Sequence, residues 1–176
     1  NVHVEMKEKV SEEIIRAVKE GMADLGIVSG NITTADLQTR PFARSRLIVI
    51  CPMDHPLAEH KEISFEDCLS YPLISLLEAS AIHQFLVREA EKLHIDLNIR
   101  VQVASYDAIY RMVAAKVGIA IIPQLGFARH KGTRDIKQIE LVDAWAERNF
   151  KLCSVDFDGL STFAQEFCES LFQRYG

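Results

Sequence analysis

A chain of 176 residues with 48% hydrophobic and 26% charged side chains has room for one or two domains whose cores need neither metal nor disulfide staples. Its 20 Lys and Arg against 25 Asp and Glu give a formal charge of -5, the wrong sign for a chain that holds nucleic acid by neutralising phosphates. No apolar run approaches a membrane span and NVHVEMKEK has no signal-peptide core, so the cytoplasm is the expected compartment.

Val2, Val4 and Met6 alternate with polar residues and predict a strand with one wet face. Ser11 then stands as a helix cap, with Glu12 and Glu13 where the helix dipole favours anions and Ile14, Ile15, Val18 and Met22 as the buried stripe. Gly21 closes that helix, and 25–28 read as a second strand, completing a βαβ unit. Ser29, Gly30 and Asn31 form the loop at its carboxyl end, the edge where open α/β sheets bind ligands.

Residues 37–44 read as extended, and RLIVIC at 46–51 as a strand stopped by Pro52. Ser64 with Asp67 resembles a capping box ahead of a short helix, and PLISLL at 72–77 is another strand. Ser80 caps a helix whose apolar face is Ile82, Phe85, Leu86, Ala90 and Leu93; Ile99, Val101 and Val103 alternate as the next strand. In 105–124, SYDAIYRMVAAKVGIAIIPQ, Ser105 is a cap and Ile109, Met112, Val113 and Lys116 share one helical face. Gly118 ends that period and 119–122 form a buried strand closed by Pro123. RHKGTR at 129–134 reads as a basic turn, 136–141 and 150–155 as strands separated by Trp145. Ser161 caps a last helix with Phe163, Ala164, Phe167, Leu171 and Phe172 inward. Helices alternating with strands predict an α/β class with mainly parallel pairing.

The chemistry of the chain is sparse. It has no nucleophile elbow, phosphate loop, HExxH or dinucleotide glycine fingerprint, so no catalytic residues and no cofactor are expected. Cys51, Cys68, Cys153 and Cys168 lack CxxC spacing and read as buried reduced thiols; Cys51, His55 and His60 lack the fourth ligand and the spacing of a zinc site, and no metal is expected. Ser11, Ser80 and Ser105 each stand at a predicted helix start just after a strand. One such serine is an ordinary cap, but several helix starts facing one cleft would bind a small anion.

Four pieces of the chain together carry a family resemblance: EGMADLGIV at 20–28, RLIVICPMDHPLA at 46–58, YPLISL at 71–76 and VAAKVGIAIIP at 113–123. The chain resembles the effector-binding domain of LysR-type transcriptional regulators from its first residues to its last helix. The resemblance implies two Rossmann-like α/β subdomains of the periplasmic-binding-protein type 2 kind joined by two extended crossovers. The first takes 1–44 and 156–176, the second 45–155. It further implies a small anionic effector in the cleft, held at Ser11, Ser29, Gly30, Ser80, Ser105 and Pro123. Self-association as a dimer or tetramer, and DNA binding only through an N-terminal winged helix-turn-helix outside this chain, follow from the same likeness.

Two features depart from the family's pattern. Such domains begin with one more strand and helix, so the first subdomain is expected to lack them. Lys116 stands where the family commonly has glycine, and the expectation is a helix that ends elsewhere, at Gly118. The rival readings are a periplasmic-type solute-binding protein and a small two-lobed metabolic enzyme.

Overall fold

The structure, a computed structural model, describes residues 3–34, 36–124 and 135–175. Val2 and the basic turn at 129–134 lie outside the described residues. The chain divides into two compact units, one of residues 1–44 and 148–176 and one of 45–147, so it crosses between them twice. The return falls at Arg148, because β8 (Glu147–Ser154) pairs with β1 (Gly26–Ser29) of the first unit in the register Gly26↔Cys153 to Ser29↔Phe150.

In the first unit, α1 (Ser11–Lys19) lays Ile14, Ile15 and Val18 on β1, in a cluster with Val28, Leu37 and Cys153. Gly26 permits this approach: a Cβ there would stand 2.5 Å from Ile14 Cγ2 and 2.9 Å from Cys153 Sγ. Gly21, at φ +70°, terminates the helix. Met22 lies beyond that turn and is 69% exposed, so it is not part of the stripe. The strand expected over Val4 and Met6 does not form: residues 3–10 have no regular structure, since an extended segment becomes a strand only by pairing and these residues pair with none of the described strands. The first βαβ unit is therefore represented by its helix and second strand.

The last helix, α5 (Thr162–Tyr175), packs Cys168, Leu171 and Phe172 onto Leu152, Phe157 and Phe42. The face at Ala164, Cys168, Leu171 and Phe172 follows the helical period, and it carries Phe163 and Phe167 to the flank, where they are about 40% exposed. These two phenylalanines were expected inside.

The second unit is built on β2 (Gln38–Pro52), one strand of 15 residues that merges the extended segment and the RLIVIC run. Ile48, Val49, Ile50 and Cys51 are fully buried in succession, as a strand covered on both faces requires. β2 pairs antiparallel with β6 (Ala120–Pro123) on one side and β7 (Ile136–Leu141) on the other. Beyond β7 lies β3 (Glu62–Ile63), parallel to it. β4 (Leu73–Leu76) and β5 (Ile99–Val103) pair parallel, and β4 meets the start of β6 through a parallel bridge, Leu73↔Ile119. The pairings thus run β5, β4, β6, β2, β7, β3, with β2 alone reversed. Pairing is mixed rather than mainly parallel, because β2 and β8, the strands of the two crossovers, run against their neighbours.

Helices α2 (Phe65–Cys68), α3 (Ala81–Lys92) and α4 (Tyr106–Ala114) complete this unit. Ser64 caps α2 by accepting from the Asp67 amide at 3.1 Å and donating to the Asp67 carboxylate at 2.6 Å. Ile82, Leu86 and Ala90 of α3 are buried, whereas Leu93 is its C-cap and 40% exposed. In α4, Ile109 and Val113 are buried but Lys116 is off the helix: at φ +60° it takes the left-handed conformation usually held by glycine and pairs with Asp54. The helix ends at Ala114, and the left-handed turn that closes it falls at this lysine rather than at Gly118. Gly118 has another task, since its missing side chain lets the chain pass against the Pro72 carbonyl, which accepts from the Ile119 amide at 3.0 Å. All four cysteines are buried and reduced.

Candidate functional site

In the second unit the parallel strands carry their following helices to one edge. Leu76 is level with Val103, and the Leu77 amide donates to the Val103 carbonyl at 3.1 Å, so the loops after β4 and β5 leave the sheet side by side. Ser80 and Ser105 occupy those loops as N-caps. Their hydroxyls accept from the His83 and Ala108 amides, each at 3.3 Å, and satisfy one of the free donors in each first turn. Pro123 ends β6, and the Leu73↔Ile119 bridge puts that end on the same edge. The structure therefore brings Ser80, Ser105 and Pro123 to the carboxyl edge of one sheet, two of them at the positive ends of helices of 12 and 9 residues.

In the first unit Ser11, Ser29 and Gly30 meet at the carboxyl end of β1. Ser11 is the first residue of α1, and Val10 holds the cap position with no side-chain bond. Its hydroxyl instead accepts from the Ser29 amide at 3.1 Å, tying the helix start to the strand end across 18 residues of sequence. Ser11 is thus a tertiary contact and not the helix cap expected. Ser29 donates its hydroxyl proton to Asn31 Oδ1 at 2.6 Å, and the Ile32 amide closes a turn on the Ser29 carbonyl at 3.2 Å. The Gly30 amide donates to the Asn149 carbonyl at 2.6 Å, and a Cβ at Gly30 would lie 3.0 Å from that oxygen. Sequence reasoning named the serines and the glycine but not Asn149 or Lys151, whose ammonium donates to the Ile32 carbonyl at 2.7 Å. Both sit in the distant strand β8, and nothing local in ERNFKLCS marks them.

Proton accounting gives each set its chemical character. The hydroxyl oxygens of Ser11, Ser80 and Ser105 already accept a backbone N–H, and their protons have no acceptor among the described residues. What remains to offer is therefore donors, which suit carboxylate, sulfate or phosphate oxygens.

Elsewhere the polar groups serve packing. The Ser75 hydroxyl and His83 Nδ1 are 2.9 Å apart and both residues are over nine-tenths buried, so the pair fastens α3 to β4 inside the fold. Burial pushes the Cys51 thiol up to about 11 and the Cys68 thiol up to about 12, and keeps both protonated. His55 is held below the usual imidazole range by burial, and its Nδ1 accepts from the Leu57 amide at 3.2 Å. Among the described residues no three His, Cys, Asp or Glu side chains come together as metal ligands, Cys51, His55 and His60 included. No described helix is long and apolar enough to cross a membrane.

Two α/β units linked by two crossovers, with helix starts at the carboxyl ends of their strands, have the periplasmic-binding-protein type 2 fold. The LysR substrate binding domain model matches residues 1–175, and the chain belongs to that family.

Its relatives are transcriptional regulators. It is 22% identical over 161 residues to the activator CmpR of Synechocystis, covering 92% of this chain and 53% of that protein. It is 30% identical over 129 residues to a probable RuBisCO transcriptional regulator of the same organism, covering 69% and 37%. The chain spans about half the length of the curated relatives it matches. Among solved structures, the Synechocystis CcmR regulatory domain in complex with 2-PG superimposes with a TM-score of 0.77 at 22% identity, covering 98% of this chain and 83% of that one. The effector-binding domain of QuiR in complex with shikimate gives 0.70 at 22% identity, covering 94% and 78%.

Proposed function

We propose that this chain is the ligand-sensing part of a LysR-type transcriptional regulator. It binds a small anionic metabolite through the strand-end groups of its two units: Ser80, Ser105 and Pro123 from one, Ser11, Ser29 and Gly30 from the other. The observation that carries this reading is the set of three serine hydroxyls whose oxygens are occupied by backbone amides and whose protons have no acceptor among the described residues. An acidic domain that offers donors at strand ends needs an acceptor-rich guest. The family match and the acidic ligands of solved relatives, 2-PG and shikimate, support the same chemistry.

In this account the effector acts by binding one arrangement of the domain better than another, and the differential affinity is what reaches the DNA-binding segment of the whole regulator. The chain performs no chemistry on its ligand. It associates with copies of itself, and it works in the cytoplasm. Native mass spectrometry of the purified chain tests the reading: a reproducible small adduct is expected, and it should disappear when Ser80 and Ser105 are both alanine. Retention of the adduct by that variant would misplace the site, and conversion of the bound molecule would make the chain an enzyme.

A further inference from the structure

We infer that the buried Ser75–His83 pair is a positioning device for the effector site: it fixes the direction in which the Ser80 hydroxyl offers its proton. This rests on the function proposed for the domain and names residues that act on the guest without touching it. His83 is the third residue of α3 and holds two bonds at once. Its backbone amide donates to the Ser80 hydroxyl oxygen at 3.3 Å, and its ring Nδ1 stands 2.9 Å from the Ser75 hydroxyl in β4. With the oxygen so occupied, the remaining O–H of Ser80 is aimed by wherever the His83 backbone sits.

The strand end supplies the fixed frame. Ser75 is the penultimate residue of β4, level with Gln102 of β5, and the Leu77 amide just beyond it donates to the Val103 carbonyl at 3.1 Å. The linking loop is closed by the Ser80 amide on the Leu77 carbonyl at 2.9 Å and by Gln84 Nε2 on the Glu78 carbonyl at 3.3 Å. Apolar packing of Ile82, Leu86 and Ala90 holds α3 against the sheet but has no direction of its own, so it tolerates small rotations and slides of the helix. A directional bond at the third residue of the helix removes that freedom beside the cap.

Burial sets this pair apart from a surface bond. Ser75 is 7% exposed and His83 8%, and their neighbours Leu73, Ile74, Leu76, Ile82 and Leu86 are buried and apolar. Two apolar side chains would fill these places at little cost in stability, because two buried polar groups return only a small net gain even when they bond each other. What an apolar pair cannot supply is direction. The other cap at this edge gives the contrast: the amide on the Ser105 hydroxyl belongs to Ala108, whose methyl group makes no hydrogen bond to a strand. Ser80 therefore has a buried side-chain tie behind its amide partner, and Ser105 does not.

The test is a titration of the 176-residue chain with sodium sulfate at constant ionic strength, followed through backbone amides by NMR, beside urea titrations of the same proteins. Wild type is expected to show saturable shifts at residues 80–84 and 105–109. Ser75→Ala should weaken sulfate at 80–84 by about fivefold, the worth of one neutral hydrogen bond, and leave 105–109 as they are. His83→Asn keeps a hydrogen-bonding group at the Nδ1 position and loses the rest of the ring, so it should retain wild-type affinity at 80–84 although its urea midpoint falls. Affinity then follows the bond and not the stability. Unchanged affinity in Ser75→Ala, a loss shared equally by 105–109, or an equal loss in His83→Asn would reduce the pair to a fastener of α3 and leave the wider reading intact. Should Ser75→Ala fail to fold, His83→Leu takes its place as the variant without the bond. No saturable shift in wild type at 80–84 would overturn this inference together with the placement of the effector site at Ser80.

Discussion

Gly118→Ala tests how the edge that carries Ser80, Ser105 and Pro123 is assembled. A Cβ at this position would lie 2.4 Å from the Pro72 carbonyl oxygen and 3.2 Å from its carbon, and the nearer atom belongs to the backbone. That oxygen cannot turn aside freely, because it accepts from the Ile119 amide at 3.0 Å, while Ile74 in turn donates to the Ile119 carbonyl at 2.8 Å. Overpacking of this kind costs about 1–3 kcal/mol, and weakening one of these buried backbone bonds adds roughly 1 kcal/mol, for a loss of about 2–4 kcal/mol. Trp145 is the single tryptophan and lies in the second unit between Phe65 and Phe85, so its fluorescence through a urea titration reads this unit alone. The expected result is a lower midpoint with an unchanged slope, equivalent to a fall in Tm of roughly 5–15 °C for a chain of this size. A loss below about 0.5 kcal/mol would mean that β4 and β6 do not close on each other here, a surface-like response at a site argued to be tight.

Other outcomes follow from the same geometry. Ser105→Ala removes the α4 cap and should cost about 1 kcal/mol by the same fluorescence assay; an unchanged midpoint would show the cap bond to Ala108 to be idle. Lys116→Gly should stabilise, because it relieves a left-handed non-glycine residue whose cost is about 1–2 kcal/mol while giving up only a solvent-exposed ion pair and some unfolded-state freedom. A lower midpoint would show instead that the Asp54 pairing holds the turn. The thiols set a pH response. Cys51 and Cys68 are raised from 9.0 to about 11 and 12, so above pH 9 the unfolded chain loses thiol protons that the folded chain keeps. Stability should therefore fall as pH rises from 9 toward 11, and Cys51→Ala should flatten part of that slope in urea titrations taken across the range. An equally steep fall in the variant would assign the slope to other groups.

Much of the fold was legible because its signals are local. The stretch 105–124 shows both the success and its limit. Ser105 caps, Ile109 and Val113 are buried, and Ala120–Pro123 is a strand, as spacing predicts. Yet the helix ends at Ala114, short of Gly118, because the left-handed turn is retained at Lys116, a non-glycine residue whose pairing with Asp54, 62 residues away, is invisible in sequence. The missing strand at Val4 and Met6 has the same cause from the other side: alternation shows what a strand could bury, but pairing needs a neighbour. Phe163 and Phe167 were misplaced because a helix with apolar residues on most of its circumference does not reveal which arc faces the core.

The candidate site divides in the same way. Ser80 and Ser105 could be found as caps, since capping is a relation between residues three apart. Ser11 carried the same signal and does something else, bonding Ser29 across the βα junction while Val10 holds the cap position. Asn149 and Lys151 could not be found at all, because they reach the Ser29 turn only through the β1–β8 register, set by residues more than 100 positions apart.

The most direct test of the central claim is hydrogen exchange on the 176-residue chain, with and without a saturating small-molecule effector selected from a panel of carboxylate, sulfate and phosphate metabolites by thermal shift. Protection concentrated at the first turns after Ser11, Ser80 and Ser105 and at the Ser29 to Ile32 turn is the predicted result. Protection at other segments, with these four unchanged, would contradict it and move the sensing site elsewhere in the fold.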